Sequence, residues 1–108
     1  MTVKELCDRN GLVPETGDGS REVTGIYCCD LLSIVMGRAP ADCVWVTVMG
    51  NLNAVAVAVL VDVACIVLAE NMPLDEDARK RAEQEGVTII RSKLPVYETC
   101  KMFETVFV

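Results

Sequence analysis

The hydrophobic pattern is densest from Val44 to Ala69, and the rest of the chain is arranged about that stretch. Val44 to Val48 is dominated by β-branched and aromatic residues, as expected of a strand covered on both faces in a parallel sheet. Gly50 and Asn51 punctuate it, and a second such run, Cys65-Ile66-Val67-Leu68, follows after about the length a crossover helix needs. Between them, Ala54-Val55-Ala56-Val57-Ala58-Val59-Leu60-Val61 alternates in size with period two, which admits a hairpin. Against the hairpin, the whole run is apolar and leaves no polar face, and Asn51 or Asn53 stands where a helix N-cap would be. Read as a helix, the segment puts Leu52, Ala56, Val59 and Val63 along one side, with alanines permitting close approach.

The flanks carry their own punctuation. Thr2-Val3-Lys4-Glu5 fits a capping box, Leu6 begins an apolar stripe, and Gly11 ends the short helix. Leu12-Val13 suggests a short edge strand, and Pro14 to Ser20 reads as a loop, either a lid or a connection. Val23 to Cys28 reads as a strand, and Asp30 is placed to cap a helix from Leu31 to Met36 that ends at Gly37. Pro73 and Asp75 open a helix whose Asp75, Glu76 and Asp77 precede Arg79, Lys80 and Arg81 at i+4, so that the charges pair along the surface. Leu74, Ala78 and Ala82 form its thin apolar side, and Gly86 closes it. Val87 to Ile90 predicts a further strand, and Pro95 to Phe103 begins a last helix with Val96, Cys100 and Phe103 on one side. Strand and helix thus alternate, which predicts one α/β domain over residues 1–108. The expected architecture is a three-layer α/β/α sandwich with a mostly parallel sheet of four to five strands.

Composition narrows function more than it names one. A net charge of −6 disfavours nucleic acid and anionic membrane as partners, since phosphate contacts need a basic surface. The apolar run to Ala69 is broken by Asp62 and is too short to span a bilayer. The N-terminus lacks a signal-peptide core, so a cytoplasmic protein with reduced thiols is expected. Six cysteines and no histidine, with no C-x-x-C spacing, predict no metal site. Cys28 and Cys29 are adjacent and would face opposite sides of a strand. No phosphate-binding, dinucleotide or nucleophile-elbow motif is present, so no cofactor and no catalysis are expected.

Ligands of open α/β sheets gather beyond the carboxyl ends of the strands. Three such ends carry the candidate binding residues: Asp30 with Ser33, then Thr47 with the turn Gly50, Asn51 and Asn53, then Glu70 with Asn71. At the middle one, glycine would let a ligand approach the backbone, and a helix start offers N–H groups to an anion. Turn chemistry and capping explain the same residues without a ligand.

The blocks Glu22-Val23-Thr24-Gly25-Ile26-Tyr27, Asp30-Leu31-Leu32-Ser33, Val35-Met36-Gly37 and Trp45-Val46-Thr47, with Asn53, Val55-Ala56-Val57-Ala58, Glu85-Gly86-Val87 and Tyr97-Glu98, resemble a small stand-alone DRTGG-domain protein. That family is similar in fold to the N-terminal domain of HPr kinase/phosphorylase. The resemblance implies a non-catalytic regulatory module that senses a small anionic or nucleotide-like ligand, or else a homodimeric interaction domain that docks a metabolic or redox enzyme. Of the central turn, only Asn53 carries over from the family pattern, Met49 and Asn51 standing where relatives have glutamine and histidine. Kinase activity does not carry over, because the P-loop is missing. Apolar Val106, Phe107 and Val108 at the chain end favour a homodimer.

Overall fold

Side-chain alternation along β3 (Cys43–Thr47) divides the core into two halves. Cys43 and Trp45 pack against helices α2 (Leu32–Arg38), α3 (Leu52–Val61) and α4 (Glu76–Glu85) on one face of the sheet. Val44 and Val46 pack against α1 (Val3–Arg9) and α5 (Val96–Glu104) on the other. The computed structural model describes residues 1–107, and among them the architecture is the expected three-layer α/β/α sandwich. Val108, one of the apolar terminal residues invoked for self-association, lies outside the described residues.

The sheet has five strands in the order β1-β5-β4-β3-β2. β2 (Gly25–Cys28), β3, β4 (Cys65–Leu68) and β5 (Ile89–Arg91) are parallel, with Tyr27 beside Trp45 and Trp45 beside Ile66. β1 (Pro14–Thr16) runs antiparallel to β5 along one edge. The sheet is therefore mostly parallel, as the apolar strands require.

Several local expectations shift. The edge strand is Pro14–Thr16 and not Leu12-Val13, since Val13 is exposed and a proline is tolerated on an edge. The supposed loop is tied down from there: Thr16 Oγ1 donates to Val87 O at 2.8 Å and accepts from Ile89 N–H at 3.1 Å, and Gly19 N–H donates to Thr88 Oγ1 at 3.3 Å. Those bonds make the segment a connection rather than a lid. The expected i+4 ion pairs of α4 also give way, because Arg79 reaches across to Glu15 at 3.0 Å and touches Glu76 only at 3.9 Å. Arg81 pairs forward with Glu85 at 3.2 Å instead of back to Asp77.

The segment after Asn51 is helical and the hairpin is excluded. Its packed side is opposite to the expected one: Ala54, Val55, Val57 and Ala58 are buried, whereas Leu52, Ala56 and Val59 face outward. A helix that is apolar all round carries no periodic signal for which side faces the sheet. The phase is set by the N-cap at Asn51, and alanines at 54 and 58 give the sheet its close approach. Val63 is buried, but it lies beyond the left-handed C-cap Asp62 (φ 66). No helix among the described residues is long and apolar enough to cross a membrane.

Candidate functional site

The candidate residues all sit near the carboxyl ends of the parallel strands, yet they form two separate groups. In the first, the fully buried Thr47 at the end of β3 donates its hydroxyl to Asp30 Oδ1 at 2.7 Å, and Val48 N–H donates to the same oxygen at 3.1 Å. Met49 N–H adds a long bond of 3.4 Å to Thr47 Oγ1. Asp30 was expected to cap α2, but Leu31 occupies the N-cap and no side-chain cap bond is present. The carboxylate instead fastens the end of β2 to the turn after β3, across two neighbouring parallel strands. Trp45 supports the same junction, its Nε1–H donating to Cys29 O at 2.9 Å.

Gly50 serves the turn differently from the expectation. A Cβ at this position would lie 2.1 Å from Pro73 O and 3.2 Å from Leu68 Cδ1, so the space beside Gly50 is filled by the chain that leads into α4. Gly50 O accepts from Asp75 N–H at 2.8 Å, which holds that chain in place. The close backbone approach that glycine permits is thus made by the protein itself. Asn51 is the N-cap of α3, its Oδ1 accepting from Ala54 N–H at 2.9 Å. Asn53 and Ser33 are exposed, and neither carries a side-chain hydrogen bond among the described residues.

The second group centres on Arg91, which sequence reasoning passed over. Its guanidinium donates to Asn71 O at 3.1 Å, Asn71 Oδ1 at 3.3 Å and Met72 O at 3.0 Å, and approaches Glu15 Oε1 at 3.5 Å. Glu70 and Asn71 both have left-handed backbone (φ 59 and 53), a conformation costly for any residue with a Cβ. Their N–H groups donate to Leu94 O and Ser92 O, each at 2.8 Å. The Arg79 hydrogen bond, helped by the charge of Arg91, holds the Glu15 carboxyl below its ordinary range. A lone basic residue at a strand end gives no sequence signal, because its partners lie far away along the chain.

Among the described residues, cavities of small-molecule size flank the sheet on either side of α5. One, of about 360 Å³, lies between the end of α1 and the turn after β5 and is lined by Asn10, Leu12, Arg91, Lys93 and Met102. The other, of about 400 Å³, runs between β2 and α5. Among the described residues there is no cluster of three or more side chains able to hold a metal ion.

Sheet order, layer assignment and strand-end turns together define a mostly parallel α/β/α domain. The chain is similar to a solved structure of the CBS and DRTGG domains of the regulatory region of a Clostridium perfringens pyrophosphatase, complexed with its activator diadenosine tetraphosphate. The TM-score is 0.76 at 6% identity, and the match covers 94% of this chain and 45% of that one. At that identity the likeness is one of fold. No family model matches the sequence, and no curated protein matches it.

Proposed function

We propose that the chain is a non-catalytic regulatory module, DRTGG-like in family, which senses a small anionic or nucleotide-like ligand at the carboxyl end of its sheet. The observation that carries this reading is the fold shared with a regulatory region whose activator is a dinucleotide. The residues proposed to meet the ligand are those facing outward at that end: Asn53, with the N–H groups at the start of α3, and Ser33 toward its anionic groups, and Glu70 and Asn71 toward its hydroxyl or amino groups. Asp30, Thr47, Gly50 and Asn51 act behind them by fixing the turns.

Thermal unfolding with a panel of adenine mononucleotides and dinucleotides, diadenosine tetraphosphate included, tests the reading. A ligand at 100 times its dissociation constant should add about 2.7 kcal/mol of stability. Asn53→Asp should diminish that shift by repelling the anion while leaving the unliganded melting point near that of the parent. A flat response to every nucleotide up to millimolar concentration would sink the proposal.

The alternative, a homodimeric interaction domain without ligand, is favoured by one observation. The ten-residue helix α3 has no charged side chain, and its outer side exposes Leu60 by 71% and Leu52 and Val59 by 37% each. Two copies of a chain with net charge −6 repel least through an uncharged face. The chain end contributes less than expected, since Val106 packs partly into the core beside α5. Light scattering separates the cases: a dimer that Leu60→Lys converts to monomer supports this reading, and a parent that is already monomeric at high micromolar concentration removes it.

A further inference from the structure

The six cysteines divide by place into an inert set and an exposed edge set. Cys7, Cys43 and Cys65 are buried; burial pushes the thiols of Cys7 and Cys43 up to about 11 and that of Cys65 higher still. Cys29 belongs to the half of the core shared with α2, and its Sγ lies 3.7 Å from Leu31 O. Cys28 precedes it on β2 and therefore points to the opposite face, toward α5. There it meets Cys100: both thiols line the same cavity of about 400 Å³, whose walls are completed by Ile26, Glu104 and Phe107. β2 is an edge strand, so this cavity lies at the free margin of the sheet.

We infer that Cys28 and Cys100 are a thiol–disulfide exchange pair, which a small aliphatic disulfide of the glutathione type oxidises to a bond between β2 and α5. Cys28 is exposed and is the entry sulfur, whereas Cys100 is half-buried. Burial, with Cys28 and Glu104 adding to it, pushes the Cys100 thiol up to about 12, so its thiolate is scarce and closing the bond is the slower of the two steps. In the first step the Cys28 thiolate attacks one sulfur of the small disulfide, breaks its S–S bond and releases one small thiolate, which takes the proton that Cys28 lost. In the second, the Cys100 thiolate attacks the Cys28 sulfur and releases the second small thiolate, which takes the proton from Cys100. Two protein thiols are oxidised and one small disulfide is reduced to two thiols, so atoms and electrons balance. No other pair is so placed: Cys28 and Cys29 face opposite sides, and Cys65 neighbours Cys7 and Cys43 only inside the core. The inference is independent of the ligand reading above.

The test is oxidation of the reduced, folded chain with excess oxidised glutathione, followed by acid quench, intact mass and non-reducing peptide mapping. The expected product has lost two hydrogens, about 2 Da, and carries a Cys28–Cys100 bond. Cys29→Ser should close the same bond, and Cys100→Ser should stop at a single glutathione adduct on Cys28. The parent chain alone decides the matter if a variant fails to fold. The inference is overturned if the parent keeps all its thiols, if its bond joins other sulfurs, or if Cys100→Ser still loses two hydrogens without gaining an adduct.

Discussion

Replacing Gly50 with alanine tests how the central turn is built. The added methyl would sit 2.1 Å from Pro73 O, well inside contact distance, and the obstacle is backbone rather than a flexible side-chain tip. Overpacking of this kind costs about 1–3 kcal/mol. If the Pro73 segment retreats to make room, the 2.8 Å bond from Asp75 N–H to Gly50 O is lost, for roughly another 0.5–1.5 kcal/mol. Gly50 is not in the left-handed region, so alanine recovers about 0.4–1 kcal/mol through the unfolded chain. The net expectation is a loss of about 2 kcal/mol, or near 10 °C in melting temperature for a domain of this size. Gly37→Ala is the control: nothing lies within 4 Å of its Cβ, it sits within α2, and it should gain about 0.5–1 kcal/mol. The single tryptophan, Trp45, is fully buried, so its fluorescence follows urea unfolding directly. A Gly50→Ala protein within 0.5 kcal/mol of the parent would mean that Pro73 does not fill the space, and that the turn is open to a ligand after all.

Other outcomes follow from the same packing. Glu15 has a folded pKa depressed chiefly by Arg79, so its contribution is present above the unfolded value and is lost as pH falls through the folded one. Glu15→Gln should therefore cost up to about 1 kcal/mol at neutral pH and much less at pH near 3, read from urea midpoints across the acid range. Thr99 is fully buried, with its hydroxyl 2.8 Å from Ser92 Oγ and 3.2 Å from Leu94 O, and Thr99→Val should cost about 1–3 kcal/mol; a neutral effect in calorimetry would refute the buried hydroxyl pair. Native alkylation followed by mass spectrometry should label Cys28 first, while Cys7, Cys43 and Cys65 should react only after denaturation. Rapid labelling of Cys65 in the folded chain would contradict its place in the core.

Much of the fold was legible because its signals are local. The capping box at Thr2 and Glu5 forms as read, with Glu5 N–H bonded to Thr2 Oγ1 at 3.2 Å, and Cys65 to Leu68 is a strand with the expected bounds. Gly86 ends α4 in the left-handed conformation that its position implied. The failures share a cause, which is that the deciding contact lies far away in sequence. Asp30 reads as a cap on local grounds, but Thr47 competes for its carboxylate from a neighbouring strand. Gly50 reads as a ligand approach because nothing nearby announces Pro73. Arg79 reads as the i+4 partner of Asp75, yet Glu15 on β1 offers a better-placed carboxylate. The outward turn of Leu52 and Val59 was hidden because a helix with no polar face does not reveal its phase.

Strand order bears on the site more than any single residue does. Right-handed crossovers that step one way across a sheet lay their helices on one face, and β2, β3, β4 and β5 step in a single direction while α2, α3 and α4 share one half of the core. A doubly wound sheet opens a crevice where the steps reverse, and ligands enter it. Here the parallel strands never reverse, and their carboxyl ends are bonded to one another: Ala69 N–H donates to Thr47 O at 2.9 Å, and Ser92 N–H to Leu68 O at 2.8 Å. A deeper recess at this end lies beside the turn after β5, and over β3 and β4 a ligand must rest on the stitched turns rather than slot between strands. A shallow seat of that sort buries only part of a nucleotide, and affinity then depends on a second surface closing over it. The uncharged outer side of α3 begins beside the same turns, at Leu52. Were a second copy docked there, it would bring its own surface to the proposed ligand seat, and the two readings proposed above would then describe one mechanism instead of two rivals.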